Sequence, residues 1–168
     1  VGLGKTVIAT RIAKRFFHTN GYPGHISRTL VIMPPALRKD WERAMEEFQV
    51  PNYRIVSNGS LHKVKYPDSY DLVIVDEAHK FRNDTAGAYT DLQVLCKTPS
   101  RRQLPDGSRQ AKRVILVSAT PLNNRPEDIR NLVYLFQSGK ETTLPVGNLG
   151  AFFAKRIEEY RQARRMDD

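Results

Sequence analysis

Apolar positions along this chain follow two alternating rhythms. Val7, Ile8, Ile12, Ala13, Phe16 and Phe17 recur at helical spacing and predict a helix over 5–18, which Gly21-Tyr22-Pro23-Gly24 breaks. Thr29-Leu30-Val31-Ile32-Met33 is a short continuous apolar run halted by Pro34-Pro35, the pattern of a strand buried on both faces. Helical spacing returns over 36–48, with Leu37, Trp41, Ala44, Met45 and Phe48 on one side. Tyr53–Val56 reads as a short strand, and Asp71-Leu72-Val73-Ile74-Val75 as a second apolar one. A helix is expected over 86–97, an exposed basic loop over 98–112, and a third buried strand over 113–117. Helices over 126–137 and 151–165, joined by a Gly/Pro-containing connection, complete the pattern. Apolar strands alternating with helices predict an α/β fold of three layers, with a mainly parallel sheet covered on both faces.

Composition narrows the class. A chain of 168 residues makes one domain, or one lobe of something larger, and buries roughly 70% of its unfolded surface. One cysteine, Cys96, excludes an internal disulfide framework and fits a reducing compartment. Cys, His and acidic side chains show no zinc-like spacing. No apolar run approaches the roughly 20 residues of a membrane span, so no membrane partner is expected. The net charge of +9 favours a polyanionic partner. The excess is uneven: 8 basic and 4 acidic residues in 1–50, 6 and 6 in 51–100, 13 and 8 in 101–168.

Three polar motifs stand where strands end or a helix begins, which in parallel sheets is where ligands bind. The chain opens Val1-Gly2-Leu3-Gly4-Lys5-Thr6, the latter part of a G-x-x-x-x-G-K-[ST] phosphate loop. Its glycines let the backbone approach phosphate, and the amides opening the 5–18 helix face the anion. Lys5 is expected on the β- and γ-phosphates and Thr6 on Mg²⁺. A glycine-rich turn without a ligand is the alternative reading. Asp76-Glu77 directly follows an apolar strand, where two adjacent carboxylates are costly unless a cation neutralises them. Asp76 is the candidate Mg²⁺ ligand, and Glu77 the residue that orients attacking water. Ser118-Ala119-Thr120-Pro121 follows the third strand and has hydroxyls able to bond back to the acidic cluster. Alone, it also reads as a simple strand-to-turn transition.

Taken in order, these motifs resemble the first RecA-like lobe of a superfamily-two helicase, and finer features resemble the Swi/Snf-type ATPases. Gly2-Leu3-Gly4-Lys5-Thr6 is similar to that family's motif I, and Leu30–Leu37 followed by Trp41 to its motif Ia. Asp76-Glu77-Ala78-His79 with Lys80–Asn83 is similar to motif II. Ser118–Asn124, then Glu127-Asp128 and Leu132, is similar to motif III and the helix beyond. The resemblance spans about residues 1–137; 138–168 carry no assignable motif.

The resemblance implies an ATP- and Mg²⁺-using motor lobe of a double-stranded-DNA translocase. Catalysis is expected from Glu77, Asp76 and Lys5, nucleotide binding from Gly2, Leu3, Gly4, Lys5 and Thr6, and metal ligation from Thr6 and Asp76. Coupling between nucleotide and DNA is expected through His79, Ser118 and Thr120. Pro34, Pro35, Arg38 and Lys39 are expected near a phosphate backbone, with Arg82 and Asn83 at a DNA or lobe interface. Trp41 reads better as core than as a base-stacking platform, and Arg101, Arg102 and Arg109 better as a solvated loop than as phosphate contacts.

The family pattern also has a strand before the phosphate loop and a second RecA-like lobe, the other expected partner. The expectation is therefore a fragment of a longer protein, incomplete at its N-terminus, with an unfilled slot in its sheet and weak or no ATPase activity alone. Its compartment is expected to be intracellular: cytoplasm in a bacterium, nucleus in a eukaryote. Three readings compete: an RNA helicase lobe with the same Asp-Glu-Ala-His motif, a non-catalytic nucleic-acid-binding fragment, and an ATPase that never touches nucleic acid.

Overall fold

A computed structural model of the chain describes residues 3–82, 87–119, 125–140 and 142–166. Helix α1 (Leu3–Thr19) leads into strand β1 (Thr29–Met33). Helix α2 (Arg38–Glu47) follows, then β2 (Tyr53–Ser57), β3 (Leu72–Val75), α3 (Gly87–Lys97), β4 (Arg113–Leu116), α4 (Pro126–Val133) and α5 (Leu149–Met166). The four strands form one all-parallel sheet in the order β2-β1-β3-β4.

Side chains alternate across this sheet with period two, and each face has its own core. Val31, Met33, Leu72 and Ile74 pack under Ala9 and Ala13 of α1 and Trp41 and Met45 of α2. Leu30, Ile32, Val73 and Val75 pack on Leu92, Leu95 and Cys96 of α3, with Leu132 of α4 and Leu135 just beyond it. Residues 30–33 of β1 have no exposed surface, which explains the unbroken apolar run: both faces are covered. Burying each such side chain contributes roughly 1.5–3 kcal/mol. The expected three-layer RecA-like architecture is the one observed.

Several expected details differ. The 36–48 helix starts as a single 3-10 turn, Pro35–Leu37, and becomes α-helical at Arg38. The 126–137 helix ends at Val133. Strand β4 is not fully buried: Arg113 is exposed and Val114, Ile115 and Leu116 are half-buried. Among the described residues β4 pairs only with β3, so its other edge is open. Beside that edge lies a groove lined by Ile8, Ile12, Ile115 and Leu116.

The 98–112 loop is also more ordered in its contacts than its composition suggests. It folds back as a small hairpin, with Gln103 bridged to Arg109, and its Arg102 reaches the end of α1. There the guanidinium donates to Asn20 Oδ1 and packs over Gly21, where a Cβ would sit 2.7 Å from Arg102 Nη2. Gly21 also has φ 89°, so both the backbone and the space require glycine there. Arg101 forms a fork with Asp68 at 3.0 and 3.2 Å, which holds the Asp68 carboxyl below its usual range. Both arginines are thus engaged within the protein, whereas Arg109 is exposed and acts on Asp68 through its charge.

Candidate active site

Because all four strands run parallel, their carboxyl ends share one edge of the sheet. The segments after β1, β3 and β4 and the start of α1 meet there. A cavity of about 380 Å³ is lined by Lys5 and Thr6 from α1, Asp76 and Glu77 after β3, Ala119 after β4, and Trp41 with Phe48 from α2. The phosphate-loop residues and the acidic pair, 70 positions apart in the chain, thus face one space.

Asp76 is 6% exposed, and its backbone N–H extends the sheet ladder by donating to Ile32 O at 2.8 Å. Both carboxylate oxygens are held: Oδ1 accepts the Glu77 N–H and Oδ2 accepts the Trp41 indole N–H, each at 2.8 Å. Glu77 sits at φ 53°, ψ 42°, in the left-handed region that a side chain beyond glycine adopts at a cost. The chain turns sharply here, and the Ala78 N–H then donates to Val117 O at 2.9 Å. This turn brings Glu77 Oε2 within 3.1 Å of His79 Nε2. On its other side His79 Nδ1 lies 3.3 Å from Ser118 Oγ. Glu77, His79 and Ser118 therefore form a chain of polar contacts from the acidic pair to the segment after β4.

The donor set fits Mg²⁺. A threonine hydroxyl and two carboxylates are hard oxygen donors, and an ion that retains waters and takes phosphate oxygens needs few protein ligands. Among the described residues there is no cluster of three or more His, Cys, Asp or Glu that would build an all-protein cage.

No family model matches the chain. An uncharacterized ATP-dependent helicase of Bacillus subtilis, YqhH, is 32% identical over 158 residues, covering 83% of this chain and 25% of its own length. The SWI2/SNF2 ATPase core of Sulfolobus solfataricus, solved in complex with double-stranded DNA, superposes with a TM-score of 0.70 at 16% identity. That match covers 96% of this chain and 34% of the solved one. The chain is thus similar in sequence to part of an ATP-dependent helicase and shares the fold of one lobe of the SWI2/SNF2 ATPase core. It spans about a quarter of the helicase relative and a third of the solved core.

The expected site residues fare unequally. Lys5, Thr6, Asp76 and Glu77 converge, and His79 and Ser118 join them. Gly4, in the first turn of α1, has nothing within 4 Å of where a Cβ would stand. Gly2, Asn83, Thr120 and 121–124 lie outside the described residues, as does the Leu3 side chain. Of the expected DNA-facing residues, Pro35, Arg38, Lys39 and Arg82 are exposed, whereas Pro34 is buried as the last covered position after β1. Pro34 is therefore no surface contact. Arg38 is partly engaged, with Glu42 at 3.3 Å. Trp41 is fully buried, as expected of core, but its bond to Asp76 was not anticipated. The signal was available: a buried indole N–H must find an acceptor, and the acidic pair was the nearest chemical candidate. No helix among the described residues is long and apolar enough to cross a membrane.

Proposed function

We propose that this chain is the ATP-binding and hydrolysing motor lobe of a duplex-DNA-dependent translocase. The observation that carries the reading is the convergence of Lys5, Thr6, Asp76 and Glu77 on one cavity at the carboxyl edge of a parallel sheet. In this reading the ATP phosphates lie at the start of α1, where the first-turn N–H groups and the Lys5 ammonium meet their charge. Thr6 and Asp76 are the residues that hold Mg²⁺, which when bound neutralises charge on the β- and γ-phosphates. Glu77 accepts a hydrogen bond from the attacking water and orients it toward the γ-phosphate. Hydrolysis draws on positioning and charge more than on covalent chemistry.

His79 and Ser118 fit the coupling role, because a change at Glu77 reaches the segment after β4 through two polar contacts. Pro35, Arg38, Lys39 and Arg82 are the proposed backbone contacts to duplex DNA, without base readout. A second RecA-like lobe is the proposed partner across the cavity mouth. The relative's name as a helicase and the neighbour's capture with double-stranded DNA support this reading.

The test is ATP hydrolysis with and without duplex DNA, against a Glu77→Gln control. Stimulation by duplex DNA is expected, with the control slowed about 10²–10⁴-fold while still binding nucleotide. Stimulation by single-stranded RNA and not by duplex DNA would replace the translocase reading with the RNA-helicase one.

A further inference from the structure

Trp41 lies where nothing in the proposed chemistry required it. It is the chain's single tryptophan, fully buried between α1, α2 and the sheet. Packing alone would be served by any large apolar side chain. The indole adds a polar contact, and that contact goes to the carboxylate on which the metal assignment depends, at 2.8 Å. Asp76 is therefore clamped from two directions. The Glu77 N–H fixes Oδ1 from the main chain, and Trp41 fixes Oδ2 from α2. With both oxygens held, rotation of the carboxylate about its Cβ–Cγ bond breaks at least one of these bonds. Each oxygen keeps acceptor capacity beyond these bonds. Hydrogen bonds to an ionised acceptor are stronger than neutral ones, and burial strengthens them further.

We propose that Trp41 is a positioning residue for Asp76, fixing the plane of its carboxylate for Mg²⁺ through the indole N–H. The inference rests on the reading of Asp76 as a metal ligand, and the test separates the two. Partners that orient a ligand from outside the metal's own shell commonly change metal affinity 10–100-fold when removed. Trp41→Phe keeps the apolar packing and deletes only the donor.

The first measurement is the Mg²⁺ dependence of ADP binding to the purified protein, compared among wild type, Trp41→Phe and Asp76→Asn. Trp41→Phe is expected to need about tenfold more Mg²⁺ for the same tightening, while metal-free ADP affinity stays within about twofold. A purely structural role would weaken both together, and that result would overturn the proposal. If Asp76→Asn loses the Mg²⁺ effect while Trp41→Phe matches wild type, Trp41 is not a positioning residue. If Asp76→Asn keeps the full Mg²⁺ effect, the metal assignment itself fails, and this inference falls with it.

The second measurement needs no stable Trp41 variant. The indole N–H resonance of the ¹⁵N-labelled protein is followed with ADP alone, with ADP and Mg²⁺, and in Asp76→Asn. It should move on Mg²⁺ addition, and it should be displaced and unresponsive in Asp76→Asn. A resonance that ignores both changes refutes the proposal.

Discussion

Glu77 holds a left-handed backbone that costs a residue with a β-carbon roughly 1–2 kcal/mol, in a place where glycine would be unstrained. The strain persists because Asp76 is locked into the sheet ladder on one side and Ala78 is bonded to Val117 on the other. What the strain provides is direction: the carboxylate is turned toward His79 and the cavity. A trade between stability and activity follows. Glu77→Gly is expected to raise unfolding stability by about 1 kcal/mol while eliminating hydrolysis. A thermal melt alongside an ATPase assay checks it, and a lowered melting temperature would show that the Glu77–His79 contact outweighs the strain.

At the scale of elements, the start of β4 carries a charge where burial disfavours one. Lys112 is buried, donates to the Pro67 carbonyl, and has Asp68, Asp71 and Cys96 nearby. Desolvation dominates these and pushes its ammonium down from 10.5 to about 8. A lysine lowered on folding means that the unfolded chain binds more protons between those values, so stability rises with pH from about 8 to 10.5. Relative to Lys112→Met, the wild-type protein should gain stability across that window. Denaturant unfolding at pH 7.5 and pH 10 measures the gap, and a gap that widens against the wild type would contradict the desolvation argument.

The same elements show what was legible from sequence and what was not. β1 and β3 announce themselves because a strand covered on both faces must be apolar throughout. β4 carries a similar run, Val114–Val117, yet is half-exposed, because burial depends on how many neighbours a strand acquires rather than on its own composition. The 98–112 loop is rich in arginine and reads as solvated. Its anchor, Arg102 to Asn20, spans 82 positions, and no local pattern encodes a contact of that range. That Lys5, Thr6, Asp76 and Glu77 face one cavity is legible because motif chemistry and strand ends coincide. The Trp41 bond was hidden behind a correct assignment of Trp41 to the core, since periodicity reports which way a side chain points and not what its polar edge touches.

For the molecule as a whole, the charge of +9 sets the expected response to salt. If duplex DNA is held by phosphate contacts from Pro35–Lys39 and Arg82, each neutralised phosphate releases counterions. About three such contacts, from Arg38, Lys39 and Arg82, imply an affinity loss of at least tenfold between 50 and 200 mM salt. Fluorescence anisotropy of a labelled duplex across that range is the check. An affinity that barely changes would mean that the basic surface is only solvated.

Helix α5 adds a different kind of consequence. Its apolar residues Leu149, Phe153 and Ile157 do not enter either sheet core; they gather with Val133, Tyr134 and Val146 in a small cluster of their own. Among the described residues, a pair between exposed Arg161 and half-buried Glu127, at 3.3 Å, supplements that cluster with charge. The helix is thus held by a separate and smaller reservoir of buried surface than the sheet, and it can open while β1 and β3 stay closed. In deuterated buffer, amides of Phe153–Arg161 should exchange well before those of Val31–Met33 and Val73–Val75, dividing the chain into a slow-breathing sheet and a fast-breathing appendage.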